Sequence, residues 1–142
     1  MNKNLDGWLF VDKPIGISSN HALQKIRKIF NNCKAGYIGT LDPLASGCLP
    51  IALGSATKII RYIEKYDKTY LFTVNWGIKT QTGDSEGKIV ITNNKYPSEQ
   101  LIKKELPNFH GYLDQITPKF SSVKIKGMRA YQLARKNIDF RT

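Results

Sequence analysis

The chain has 142 residues, about the length of one domain, and its 41% hydrophobic and 11% aromatic residues exclude a disordered composition. Charge is the unusual quantity, since 22 Lys and Arg stand against 11 Asp and Glu, a net charge of +11. This excess favours a polyanionic partner, nucleic acid above all, and the alternative is a lysine-rich surface that is merely solvated.

The cysteines and the N-terminus narrow the choice further. Cys33 and Cys48 form neither a C-x-x-C pair nor a Cys/His cluster, so we predict no metal site. The first six residues lack the apolar stretch of a signal peptide, and no run is long enough to span a membrane. We expect free thiols, a cytoplasmic location and no membrane association.

The first third of the chain predicts two buried strands and one amphipathic helix. Residues 7–11 form an apolar run that stops at Pro14, and residues 49–53 form a second run closed by Gly54. Ser18 or Ser19 caps the helix, which ends at Asn31-Asn32. Its apolar residues share one face: Ala22, Leu23, Ile26, Ile29 and Phe30. Residues 36–47 are predicted to be a loop.

The remaining elements alternate in type without the regular spacing of βαβ units. They are a helix at 57–66, an alternating strand at 68–76, a turn-rich loop at 80–87, a paired strand at 88–92, a helix opened by Pro97-Ser98, an irregular segment with a short strand at 118–127, and a helix at 130–135. This order favours an α+β fold with a mixed sheet.

One acid stands in the loop GYIGTLDPLASG, residues 36–47. Asp42 precedes Pro43, and an Asp at such a place often opens a turn with its side chain bonded to backbone amides. The other interpretation is a functional carboxylate in a dry, apolar loop, because an acid buried without a cation or amides is costly and loops often carry function. The residues alone leave both open.

Five further side chains allow a functional and a structural interpretation. Tyr70 begins the alternating strand, so its ring either packs in the core or stacks on a base. Lys13 is either a surface lysine before a turn or a phosphate contact. Lys58 starts the second predicted helix, where a cation is unfavourable unless an anion binds. His21 and His110 are isolated, so surface or packing roles are favoured over catalysis.

Four ordered blocks of sequence resemble the TruB family of tRNA pseudouridine synthases. They are FVDKPIGISS, GYIGTLDPLASGCLPIALGSATK, KTYLFTVNWG followed by TQTGDSEG, and PKFSSVKIKGMRAYQLAR. They occur in the order of the family and span residues 7–135; the dyskerin type, which uses guide RNAs, is a more distant relative. The resemblance implies the pseudouridine synthase fold, an α+β fold with a mixed or antiparallel sheet flanked by helices.

The resemblance also implies an activity and a set of residues. The reaction is isomerisation of the T-loop uridine of tRNA (position 55 of the tRNA) to pseudouridine, without cofactor or metal. Asp42 matches the nucleophile, and Tyr70 matches a tyrosine that stacks on the base and takes part in proton transfer. Lys13 matches the lysine of a lysine-proline motif. With Lys13, the residues expected to contact RNA are Tyr37, Thr40 and Lys58.

The chemistry of the implied isomerisation is consistent with a single carboxylate in a dry loop. The reaction breaks a glycosidic bond, turns the base and rejoins it, and a carboxylate beside the anomeric carbon can stabilise or trap the cationic sugar. A hydrolase needs a second carboxylate to handle water. An isomerase must keep water out instead.

The sequence departs from the family pattern at three places. Tyr37 stands where the family usually has histidine, and Gln81 stands where an acid is expected between two threonines. The family also continues with a G-T-Y-I-R segment, whose arginine pairs with the nucleophile, and with a C-terminal RNA-binding domain. We therefore expect residues 1–142 to be the N-terminal portion of a catalytic domain, monomeric, and weakly active or inactive alone. The alternatives are a non-catalytic tRNA-binding module and a degenerate gene fragment.

Overall fold

The computed structural model of the chain describes residues 5–63, 67–136 and 138–140, and it divides the chain into two compact units, residues 1–70 and 71–142. The first unit contains β1 (Gly7–Lys13), α1 (Ser19–Ile29), β2 (Ala35–Tyr37), β3 (Gly47–Leu53), a 3-10 helix (Gly54–Ile59) and α2 (Ile60–Ile63). Helices and antiparallel strands thus occur together, in agreement with the predicted α+β class. Strand β2 overlaps the start of the predicted loop at residues 36–47, and β3 takes its last residue, Gly47.

The sheet of the first unit has β3 at its centre. Its order is β1-β3-β2, both pairs are antiparallel, and Ile51 lies opposite Leu9 on one side and Tyr37 on the other. Because side chains alternate along a strand, Leu49, Ile51 and Leu53 share one face. They are 1%, 0% and 3% exposed, so this face is the core of the unit.

Helix α1 covers that face, and its predicted position is confirmed. The Oγ of Ser18 accepts a hydrogen bond from the amide of His21 at 3.1 Å, which caps the N-terminus. Ala22 and Leu23 are buried in the same cluster as the β3 residues. Ile26 and Phe30 pack against this cluster, as the periodicity predicts. Ile29 is 69% exposed, so its predicted place on the packing face is wrong.

The other face of the sheet is approached closely by α2. A Cβ at Gly36 would lie 2.9 Å from the Cδ1 of Ile60, so glycine makes room for this contact. The segment before α2 is a 3-10 helix rather than the first turn of one long helix, and residues 64–66 of the predicted 57–66 helix lie outside the described residues. The Oδ1 of Asp6 accepts a hydrogen bond from the amide of Ser55 and so satisfies one amide in the first turn of the 3-10 helix.

The second unit consists of short elements. They are β4 (Ile78–Thr80) paired with β5 (Ile89–Thr92), α3 (Glu99–Glu105), a 3-10 helix (Leu106–Phe109), the hairpin of β6 (Lys124–Ile125) and β7 (Met128–Arg129), and α4 (Ala130–Arg135). Both strand pairs are antiparallel. The predicted loop, paired strand, Ser98-capped helix, short strand and last helix are all found here.

The predicted strand at 68–76 is wrong. The structure assigns no strand there, and none of the described strands pairs with the segment. The side chain of Tyr70 is 62% exposed and that of Phe72 is 77% exposed, so neither lies in a core. Alternation shows that a segment can form a strand, but a strand also needs a hydrogen-bonded neighbour, which the sequence pattern does not supply.

Candidate active site at the loop between β2 and β3

The loop that carries Asp42 joins the end of β2 to the start of β3. The amide of Ile38 donates to the carbonyl of Pro50 at 2.9 Å, which continues the ladder one residue into the loop. At the other end of the loop, Gly47 lies opposite Lys13, the last residue of β1. The loop therefore lies at the end of the sheet where β1 finishes and β3 begins, next to the turn that leads to α1.

Asp42 has an exposed side chain in this loop. Its carbonyl accepts a hydrogen bond from the amide of Ala45 at 3.0 Å, so a turn does begin at Asp42. Among the described residues, however, nothing forms a hydrogen bond or ion pair with its carboxylate. The turn is made by the backbone, and the carboxylate is available to a ligand. Thr40, two residues earlier, is exposed as well.

The expected dry environment of Asp42 is wrong for the described chain. Leu41 packs against the core cluster, whereas Pro43 is exposed and Leu44 is 37% exposed. Apolar neighbours in sequence point in different directions along a loop, so they do not enclose the side chain between them. The walls that would exclude water from Asp42 are not built by its sequence neighbours.

The backbone on both sides of Asp42 is held by the segment that leads into α1. The Oγ of Ser19 accepts a hydrogen bond from the amide of Leu41 and donates one to the carbonyl of Leu41, each at 2.9 Å. The amide of Gly16 donates to the carbonyl of Pro43 at 2.8 Å. From the sequence, Ser19 was predicted only as a possible helix cap. Because Ser18 can cap the helix by itself, the second serine was the one sign that Ser19 has another role.

Lys13 is fully buried, so its interpretation as a surface lysine is wrong. Its Nζ donates to the carbonyls of Pro14 and Ile17, both at 2.8 Å. The register explains the burial, because Lys13 shares a face with Leu9 and lies opposite Gly47, which has no side chain. Its predicted contact with RNA stays a prediction, and it would require the ammonium group to leave these carbonyls.

The remaining predicted RNA contacts lie in different surroundings. Tyr37 is half-buried, since it packs against the core cluster. Lys58 is exposed, but it lies in the last turn of the 3-10 helix, so the expected unfavourable place at a helix start is wrong. This 3-10 helix follows Leu53, the opposite end of β3 from the Asp42 loop.

The segment before Tyr70 passes beside the Asp42 loop. A Cβ at Gly39 would lie 3.7 Å from the Cε of Lys68. Lys68 is two residues before Tyr70, whose exposed ring ends the first unit. Lys68 is the first residue of the block KTYLFTVNWG, and that place in the sequence was the signal that could have marked it.

Gln81, one of the departures from the family pattern, lies in the second unit. It lines an open groove of about 690 Å³ together with Lys79, Lys119 and Phe120. The acids of this loop are instead Asp84 and Glu86, and the Oδ1 of Asp84 accepts a hydrogen bond from the amide of Glu86 at 3.0 Å. Beside the amide of Gln81, the groove is lined by the ammonium groups of Lys79 and Lys119 and by the carboxylate of Asp139.

Two further properties hold for the described part of the chain. No group of three or more His, Cys, Asp or Glu side chains is placed to hold a metal ion. None of the helices in residues 5–63, 67–136 and 138–140 has the length and hydropathy to cross a bilayer.

The chain is similar to known proteins over almost all of its length. It is 53% identical over 133 residues to the tRNA pseudouridine synthase B of Ehrlichia chaffeensis, which covers 94% of this chain and 45% of that protein. It is 51% identical over 131 residues to the protein of the same name from Agrobacterium fabrum, covering 92% and 42%. The chain thus spans somewhat under half the length of these relatives.

A solved structure and a family model also match. A chain in the structure of an H/ACA RNP bound to a substrate RNA containing 2′-deoxyuridine is 42% identical, over 44% of this chain and 19% of that chain, with a TM-score of 0.39. Residues 27–142 match the model described as TruB family pseudouridylate synthase (N terminal domain). The chain therefore belongs to the TruB family of pseudouridylate synthases, and its match lies in the N-terminal domain of that family.

Proposed function

We propose that this chain supplies the nucleophile of an enzyme that isomerises the T-loop uridine of tRNA (position 55 of the tRNA) to pseudouridine. The observation that carries the proposal is Asp42 itself. In a chain of the TruB family, its carboxylate is exposed and unpartnered among the described residues, on a loop whose backbone is fixed at both ends. The relatives named tRNA pseudouridine synthase B support the choice of tRNA.

The reaction is balanced without a cofactor. The bond from C1′ of the ribose to N1 of uracil breaks, and a bond from C1′ to C5 forms. A proton leaves C5 and N1 gains one, so no electrons are exchanged with a third molecule. Asp42 stabilises or traps the sugar at C1′ while the base turns, as carboxylates do in glycoside chemistry.

The other side chains have supporting roles in this proposal. Tyr70 offers an exposed ring on which a uridine that has left its stack can rest. Thr40 and Lys58 are exposed and contact the T-arm, as does the accessible part of the half-buried Tyr37. Lys13 supports the turn at residues 14–17 rather than a phosphate in the conformation described here.

Water exclusion and charge pairing at Asp42 come from outside the described residues. Because the carboxylate is exposed, the RNA and the part of the enzyme beyond these residues form the walls of the site. An arginine from that part would pair with the carboxylate. We therefore expect residues 1–142 alone, as a cytoplasmic monomer, to show little or no turnover on T-loop RNA.

The test uses a completed enzyme. Residues 1–135 of this chain are fused to the corresponding C-terminal region of the Ehrlichia chaffeensis relative, and pseudouridine is measured after incubation with unmodified T-loop RNA. We expect product from the fusion and none from its Asp42→Asn variant. Asp12→Asn is the matched control, because Asp12 is an exposed acid at the same end of the sheet and the change in charge is identical. Substantial product from Asp42→Asn would remove Asp42 from the role.

A non-catalytic tRNA-binding module is the second candidate, and the net charge of +11 favours it. It predicts that the chain binds tRNA with a strong dependence on salt, that Asp42→Asn leaves this binding unchanged, and that the fusion yields no product. The proposed enzyme predicts the same binding but a product that disappears with Asp42→Asn. Product formation therefore separates the two.

A further inference from the structure

We propose that Ser19 is a positioning residue for Asp42, and that with Gly16 it forms a two-point clamp on the backbone of the nucleophile loop. The proposal rests on the proposed function, since it gives Asp42 the role of nucleophile. Ser19 acts through Leu41, the residue before Asp42, and Gly16 acts through Pro43, the residue after it.

The first point of the clamp is one hydroxyl that binds both polar groups of one residue. The Oγ of Ser19 accepts from the amide of Leu41 and donates to its carbonyl, each at 2.9 Å. A hydroxyl has one proton and two lone pairs, so both bonds can exist together. They join the first residue of α1 to a loop residue 22 positions later in the chain.

The second point is the amide of Gly16, which donates to the carbonyl of Pro43 at 2.8 Å. Gly16 has a φ of +92°, a conformation that residues with a side chain rarely adopt. The same turn is held from inside by Lys13, whose Nζ binds the carbonyls of Pro14 and Ile17 at 2.8 Å. The turn that contains Gly16 is therefore itself held in place by a buried side chain.

Burial decides that Ser19 acts on the loop rather than on RNA. Ser19 is 2% exposed and its hydroxyl group is already hydrogen-bonded to Leu41, so a substrate cannot reach it. The carboxylate of Asp42 is left out of the clamp and faces solvent. A loop held on both sides of one free carboxylate limits how far that carboxylate can move from the reacting carbon, and small displacements of a reacting group can cost about a hundredfold in rate.

The clamp is tested first by amide hydrogen exchange on the 142-residue chain. We expect the amide of Leu41 to be protected while those of Thr40 and Asp42, which donate no hydrogen bond within the described residues, exchange rapidly. Ser19→Ala should speed exchange at Leu41 by about tenfold or more. Ser18→Ala is the matched control, because it removes the cap on the same helix but no contact to Leu41. Equal exchange at Leu41 in the two variants would overturn the clamp.

The positioning role is tested by kinetics of the fusion enzyme. We expect Ser19→Ala to lower kcat about tenfold or more with KM for the RNA unchanged, and Ser18→Ala to change neither by more than about twofold. Equal kcat in the two variants, or a loss confined to KM, would overturn the positioning role. Absence of product from the unsubstituted fusion would overturn the proposed function instead, and the exchange result would still decide whether the clamp exists.

Discussion

The two units of the chain bury their apolar side chains to very different degrees. In the first unit, the core face of β3 is closed, with Ile51 at 0% exposure under α1. In the second unit, the three apolar residues of β5 remain half exposed or more: Ile89 at 60%, Val90 at 54% and Ile91 at 53%. Among the described residues of the second unit, the buried hydrophobic ones are Ala130 and Leu133 of α4. The first unit has a closed core, whereas the second has a small one.

The architecture explains the difference. A three-stranded sheet with a helix across one face can enclose a layer of side chains, whereas two-stranded ribbons cannot. The first unit also carries Asp42, so the proposed nucleophile is presented by the better-packed part of the chain. The exposed apolar residues of the second unit are expected to contribute little to its own stability.

The largest expected effect comes from truncating the central core residue. Ile51→Ala removes a fully buried side chain, and we expect it to lower the free energy of unfolding of the first unit by about 2–5 kcal/mol. Ile91→Ala makes the same chemical change on β5 of the second unit, where more than half of the side chain is already in water. There we expect a loss below about 1 kcal/mol.

The chain has two tryptophans, and each unit holds one of them, Trp8 in β1 and Trp76 before β4. In a Trp76→Phe background, the fluorescence of Trp8 reports urea unfolding of the first unit, and in a Trp8→Phe background Trp76 reports the second. Equal losses from Ile51→Ala and Ile91→Ala, each in its own reporter background, would show that the two units are equally well packed.

An intermediate effect is expected at the buried lysine. Lys13→Met keeps most of the volume but leaves the carbonyls of Pro14 and Ile17 without a donor, and we expect the first unit to lose about 1–3 kcal/mol. Lys25→Met is the matched control, because Lys25 is an exposed lysine on α1 of the same unit. A Trp8 transition that moves equally in both variants would mean that the buried ammonium group does not stabilise the unit.

The sequence predicted most elements because their signals are local. The apolar run before Pro14, the period of α1 after Ser18 and the capped helix at Ser98 each depend on neighbours a few residues apart. The loop around Asp42 was identified for the same reason. A residue pattern can predict features of this kind, which depend only on residues close together in the sequence.

Three of the missed features depend on distant partners. The 68–76 segment alternates correctly but has no paired neighbour among the described strands. The burial of Lys13 follows from its register with Gly47, and the role of Ser19 follows from a contact to Leu41. Such facts arise only once strands and loops meet, so no local pattern could reveal them.

The smallest expected effect is at an exposed ion pair of the second unit. The Nζ of Lys119 lies 3.1 Å from Oδ1 of Asp139, with the two side chains 65% and 91% exposed. The hydrogen bond and the charge of Lys119 lower the pKa of Asp139 below its ordinary value. A lowered pKa in the folded state means that any stabilisation is present above the ordinary pKa of the carboxyl and disappears as the pH falls through the lowered one.

Solvent screens so exposed a pair, so we expect Asp139→Asn to leave the urea midpoint of the Trp76 transition unchanged at pH 7 within measurement error. Any small difference from the unsubstituted chain should vanish as the pH falls below the lowered pKa. The destabilisation by Ile51→Ala does not depend on a titrating group. The difference in unfolding free energy between that variant and its parent should therefore persist over the same pH range. A clear shift of the midpoint by Asp139→Asn at pH 7 would mean that the second unit depends on its surface charges as the first unit depends on its core.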